Sequence, residues 1–72
     1  MREILETAGW VMYYNCNTCG GNKQYFNNLS KPGYEIRTRP KNNTFSVVLN
    51  NRIVAGPFWG YQLEQKITEY VP

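Results

Sequence analysis

Trp10-Val11-Met12-Tyr13-Tyr14-Asn15-Cys16-Asn17-Thr18-Cys19-Gly20-Gly21, running into Asn22-Lys23-Gln24-Tyr25-Phe26-Asn27-Asn28-Leu29, is the stretch on which the fold reading turns. Trp10–Tyr14 is a continuous apolar run of strand length, the pattern of a central strand covered on both faces. Asn22–Leu29 places Tyr25, Phe26 and Leu29 on one side of a short helix, which Lys31-Pro32-Gly33 ends. Between them lies Cys16-Asn17-Thr18-Cys19. A strand that passes through Cys-x-x-Cys into a helix has a chemical logic. Thiolate is the reactive form, and the positive end of a helix dipole lowers the pKa of a Cys placed there.

Outward from this stretch, residues 2–8 form a short amphipathic helix with Ile4 and Leu5 inward and Gly9 as its stop. Tyr34–Arg39 alternates, with Tyr34, Ile36 and Thr38 on one face and Glu35, Arg37 and Arg39 on the other, as in a half-exposed strand near a sheet edge. Pro40–Asn43 is a loop. Thr44–Leu49 and Arg52–Ala55 flank Asn50-Asn51, a pair that tolerates the positive φ of a tight hairpin turn. Gly56-Pro57 breaks the last strand. From Tyr61 onward, Leu63, Ile67, Tyr70 and Val71 recur at helical spacing with Glu64, Lys66 and Glu69 outward. The expected order is α-β-α-β-β-β-α.

The 72 residues make one domain, 1–72, with a small core. Hydrophobic content of 42% and charged content of 18% are ordinary for a folded chain and argue against disorder. No apolar run approaches the ~20 residues of a membrane-crossing helix, and Met1–Ala8 lacks a signal-peptide stretch, so a soluble cytoplasmic protein is expected. There is no His, which excludes His-based general base catalysis, Cys–His and Ser–His pairs and imidazole-ligated zinc. With five carboxylates spread along the chain, a carboxylate-bound metal or an acid/base pair is not expected either. The nine Asn residues mark turns and loops.

Strand, Cys-x-x-Cys, helix, strand, hairpin and terminal helix is the order of the thioredoxin-like superfamily, closest in size to glutaredoxins. Ser46-Val47-Val48-Leu49-Asn50-Asn51-Arg52-Ile53-Val54-Ala55-Gly56 resembles the glutaredoxin segment that leads to the Gly after the last strand. Phe58-Trp59-Gly60-Tyr61 resembles the aromatic-x-Gly-aromatic turn of glutaredoxin-like electron donors. The resemblance spans Trp10 to Val71. It implies an α/β minimal thioredoxin-like fold, a mixed four-stranded sheet of β-α-β plus β-hairpin-α with a short N-terminal helix. Trp10–Tyr14 and Tyr34–Arg39 would be a parallel pair joined by a right-handed crossover through Asn22–Leu29. It also implies a thiol-disulfide oxidoreductase in which Cys16 attacks a substrate disulfide and Cys19 resolves the mixed disulfide. Thr44 and Phe45, where that family has a cis-Pro, would line the substrate groove, and Trp59 and Tyr61 would border a partner. The implied partner is a reductase or another disulfide-containing protein; no organic cofactor is implied.

Other readings compete for the same residues. Cys-x-x-Cys-Gly also opens zinc knuckles, and with no second Cys pair a closed zinc site at Cys16 and Cys19 needs ligands from a second chain, a dimeric zinc clip. Arg37 and Arg39, with Lys41 and Arg52 nearby, form a basic stripe among aromatics, the residue types that hold phosphates and stack bases. A charged, solvated edge strand explains that stripe without a ligand and is favoured. Trp10, Tyr13, Tyr14, Phe45 and Phe58 are assigned to the core, with Trp59 placed in an exposed turn. Phe45–Gly56 followed by a helix resembles the end of a double-stranded-RNA-binding domain, although Gly60-Tyr61-Gln62-Leu63-Glu64 carries none of that family's cations. A non-catalytic interaction module is the remaining alternative.

Overall fold

Alternating side chains and tight turns build a sheet on which everything else rests. In the computed structural model, which describes residues 1–18, 20 and 22–72, the elements are α1 (Arg2–Thr7), β1 (Val11–Cys16), β2 (Lys23–Asn27), β3 (Tyr34–Arg39), β4 (Thr44–Leu49), β5 (Arg52–Trp59) and α2 (Leu63–Tyr70). Single 3-10 turns at Pro40–Asn42 and Gly60–Gln62 precede β4 and α2. The strands follow one another across one five-stranded sheet in the order β1-β2-β3-β4-β5, every neighbouring pair antiparallel.

This overturns the thioredoxin-like expectation of a mixed four-stranded sheet. Asn22–Leu29 is not a crossover helix: Lys23–Asn27 is strand β2, paired with both β1 and β3. With β2 between them, the expected parallel pair cannot form. Trp10–Tyr14 is not a central strand either. Trp10 is buried just before β1, and β1 is an edge strand on which Tyr13 and Tyr14 are exposed. Tyr34–Arg39, expected near an edge, is the middle strand. The physical reason lies in β2. Lys23, Tyr25 and Asn27 alternate with Gln24 and Phe26, and Tyr-Phe favours a pleated, half-buried surface over a helix. Asn22, at φ +52, stands in the connection that returns the chain beside β1.

One face of the sheet is apolar. Phe26, Ile36 and Val47 are register partners across β2, β3 and β4, and all three are fully buried. Leu5 of α1, Trp10, Phe45, Leu63 of α2 and Val71 complete the cluster, so both helices cover this same face. Thr38 is buried there without an unmet polar atom, its hydroxyl donating to the Gln24 carbonyl at 3.0 Å. Asn28 donates to the Ala8 carbonyl (3.4 Å) and accepts from the Ser30 N–H (3.0 Å), tying the β2–β3 loop to the end of α1.

The β4–β5 hairpin turns through Asn50 and Asn51 at φ +50 and +67, the left-handed pair that a two-residue turn requires. β5 runs past Gly56-Pro57 to Trp59 rather than stopping there. Gly56, at φ +110, lies so close to β4 that a Cβ would meet the Phe45 carbonyl oxygen and Ser46 at 3.0 Å. The strand continues because this position has no side chain.

Strand and helix readings of residues 22–29 make opposite demands on Leu29. A helix buries Phe26 and Leu29 together, whereas here Phe26 is 0% exposed and Leu29 100%. Phe26→Ala is expected to cost about 3–5 kcal/mol in urea unfolding, and Leu29→Ala less than about 0.5 kcal/mol. Equal losses at the two positions would contradict β2.

Candidate functional site

With both helices on one side, no helix or further layer covers the other face of the sheet among the described residues. The side chains there come from alternate strand positions: Tyr14 and Cys16 on β1, Lys23 and Tyr25 on β2, Glu35, Arg37 and Arg39 on β3, Thr44 and Ser46 on β4, and Ile53 and Trp59 on β5. A bulge between Met12 and Tyr14 inserts Tyr13 into β1. Bulges re-aim side chains, and here Tyr13 joins Tyr14 on the open face while Met12 packs on the core.

At the centre of this face is a cluster of rings and charges. The Tyr14 and Tyr25 ring centres are 4.9 Å apart, and Tyr13 and Tyr25 6.3 Å. The Arg37 guanidinium lies 4.7 Å above the Tyr25 ring, a cation–π contact. Arg37 also donates to Glu35 Oε1 from Nη2 at 2.8 Å and from Nε at 3.3 Å. The Tyr13 hydroxyl donates to Glu35 Oε2. Glu35 thus holds a phenol on one oxygen and a guanidinium on the other, which fixes the positions of both.

The electrostatic result is a neutral, anchored Tyr13 and a firmly charged Arg37. Desolvation, then the hydrogen bond to Glu35 and its charge, push Tyr13 from 10.0 up to about 12, with Arg37 pulling the other way. Desolvation opposes the Arg37 charge, but the Glu35 hydrogen bond and carboxylate outweigh it and raise its pKa further.

Charge is divided between the two layers of the fold. Of the five carboxylates, Glu3 and Glu6 lie on α1 and Glu64 and Glu69 on α2, leaving Glu35 alone in the sheet. Six of the eight cations, Lys23, Lys31, Arg37, Arg39, Lys41 and Arg52, lie on the strands and their connections. On the helices, Arg2 pairs with Glu6 and Lys66 with Glu69. Arg39 and Lys41 have no carboxylate partner among the described residues.

The residues expected to form a redox site are dispersed. Cys16 ends β1 and is disulfide-bonded, with the Thr18 hydroxyl 3.7 Å from its Sγ; Cys19 lies outside the described residues. The next element after β1 is strand β2, so among the described residues no helix N-terminus follows Cys16. Thr44 is on β4, with β2 and β3 between it and Cys16, a separation of about 14 Å at three inter-strand steps. Phe45 points into the core at 1% exposure. Trp59, the register partner of Thr44, and Tyr61, in the following 3-10 turn, are both exposed, at 56% and 84%. No group of three or more metal-binding side chains occurs among the described residues.

Sequence reasoning singled out Arg37 and Arg39 but assigned Tyr13 and Tyr14 to the core and Tyr25 to a helix. The alternation of Lys23-Gln24-Tyr25-Phe26-Asn27 was the signal for Tyr25. No local signal marks the bulge that turns Tyr13 outward. No family model matches the chain, and no curated protein or solved structure matches it significantly.

A raised folded pKa means that the neutral Tyr13 phenol is favoured by folding. Its contribution to stability is complete below about pH 10 and is lost as pH rises through about 12. In an absorbance titration, a tyrosine step near pH 12 is expected, and Tyr13→Phe to remove it. A profile that Tyr13→Phe leaves unchanged in that range would contradict the Tyr13–Glu35 bond.

Proposed function

We propose that the chain is a nucleic-acid-binding module that takes a single strand across the helix-free face of its sheet. The observation that carries this reading is the division of charge, with carboxylates gathered on the helices and cations on the strands beneath exposed aromatic rings. Cations on one face attract a polyanion by phosphate contact and counterion release. Aromatic rings on that face give unpaired bases surfaces to stack on. Tyr13, Tyr14 and Trp59, 48%, 42% and 56% exposed, are the stacking surfaces, and Arg39, Lys23 and Lys41 the phosphate contacts.

Single strands are favoured over duplexes for two reasons. Stacking on a side-chain ring needs a base that is not already stacked in a helix. The stretch that opens α2, Gly60-Tyr61-Gln62-Leu63-Glu64, has Glu64 in the first turn and none of the cations with which a double-stranded-RNA-binding domain meets a phosphate backbone. The thiol-exchange reading keeps its Cys-x-x-Cys motif, but neither the activating helix nor the substrate groove stands beside Cys16.

Fluorescence polarisation with labelled single strands of about 12 nucleotides tests the reading. Binding is expected to weaken with salt, with a log–log slope of about −2 for three phosphates contacted. Tyr14→Ala is expected to cost about 1–3 kcal/mol as a lost base stack. A duplex of equal length should bind more weakly than either RNA or DNA single strands. No binding at low salt, or equal binding of duplex and single strand unaffected by Tyr14→Ala, would refute the proposal.

A further inference from the structure

Between β3, β4 and β5 the open face dips into a cleft of about 120 Å³. Arg37 and Arg39 line it from β3, and Thr44 and Ser46 from β4, with Tyr25 and Pro57 at its sides. We infer that this cleft seats a phosphate group, and so fixes where along the sheet a bound strand lies.

The lining has the chemistry of an anion site. Beside the apolar Phe45, Ile53 and Pro57 it holds two guanidiniums and the hydroxyls of Thr44 and Ser46, all hydrogen-bond donors, and no carboxylate; the Thr38 hydroxyl is already spent on the Gln24 carbonyl. Arg37 spends Nε and Nη2 on Glu35. The Arg39 guanidinium and the hydroxyls of Thr44 and Ser46 make no side-chain hydrogen bond among the described residues. A phosphate offers oxygen acceptors to each of them, and planar guanidinium forks match that geometry. Glu35 offsets part of the Arg37 charge, so Arg39 supplies the uncompensated positive charge.

The cleft's shape comes from the backbone. Gly56 lets β5 approach Ser46 within van der Waals contact, and Arg37 and Ser46 are register partners. Arg39 and Thr44 are also partners, one step along the same two strands. Donors from neighbouring strands are therefore held side by side by the sheet's hydrogen bonds. Tyr25 and Tyr14 stand one and two strands away along the same row as Arg37, so a phosphate in the cleft would leave a neighbouring base within reach of the tyrosines.

The inference rests on the nucleic-acid reading for the carrier of the phosphate, and on the cleft alone for the anion. The experiment is an amide-resolved NMR titration of the whole chain, once with inorganic phosphate and once with a single strand of about 12 nucleotides, repeated for Arg39→Ala and Ser46→Ala. Both ligands are expected to shift the Arg39, Thr44 and Ser46 amides, with phosphate displaced by the oligonucleotide. Arg39→Ala should weaken oligonucleotide binding about tenfold at low salt and flatten the salt slope by about 0.7, and Ser46→Ala should do so about threefold with native spectral dispersion. Equal affinity for strands with and without a 5′-phosphate marks an internal phosphodiester; tighter binding of the phosphorylated strand marks the terminal group. If the strand binds while these amides stay still and Arg39→Ala stays within twofold of the parent, the cleft is refuted and the nucleic-acid reading stands. If phosphate shifts the amides but no strand binds, the cleft stands and the nucleic-acid reading falls. If phosphate leaves these amides still and no strand binds, both fail.

Discussion

The rest of the structure depends on the packing of Leu5, Trp10, Leu63 and Val71 against Phe26, Ile36, Phe45 and Val47. A chain of 72 residues has material for one such layer and not for two. Once α1 and α2 are spent on one face, the opposite face stays in water and must be composed of side chains that tolerate it. The Tyr13–Glu35–Arg37–Tyr25 cluster is how it does so: rings cover the strands, and Glu35 partners both the Tyr13 hydroxyl and the Arg37 guanidinium.

The same constraint explains the electrostatics. Helices that cover a sheet expose their own outer surfaces, and there the Glu residues are placed. The strands cannot hide their charges behind a second layer, so Arg37, Arg39 and Lys23 face solvent together. A protein with a formal charge of only +3 thereby presents a face with several cations and a single carboxylate. Net charge alone identified no partner; its distribution over two layers suggests one.

The sequence was legible where local chemistry decides local structure. The Asn50-Asn51 turn, the alternation of Tyr34–Arg39 and the apolar stripe through Leu63 and Ile67 each demand one conformation from a few adjacent residues. It misled where a short segment satisfies two periodicities. Asn22–Leu29 presents Tyr25, Phe26 and Leu29 at helical spacing and also alternates at period two, and eight residues do not separate these patterns. Taking it as a helix supplied the crossover on which the thioredoxin-like resemblance depended, and with it a catalytic setting for Cys16 and Cys19. Trp10–Tyr14 misled for a related reason: an apolar run marks burial on both faces unless its rings have another use, and at an exposed edge they do.

What the sequence by itself determined is the hairpin, the two flanking helices, the polarity of β3 and the exclusion of histidine chemistry, because each follows from composition or from contacts between near neighbours. What only the tertiary structure decided is that β2 pairs between β1 and β3, that both helices choose the same face, and that Tyr13, Tyr14, Tyr25 and Arg37 meet on the other. Those are contests between long-range pairings, and the competing arrangements differ in which apolar faces they bury together, a quantity that no local pattern of residues contains.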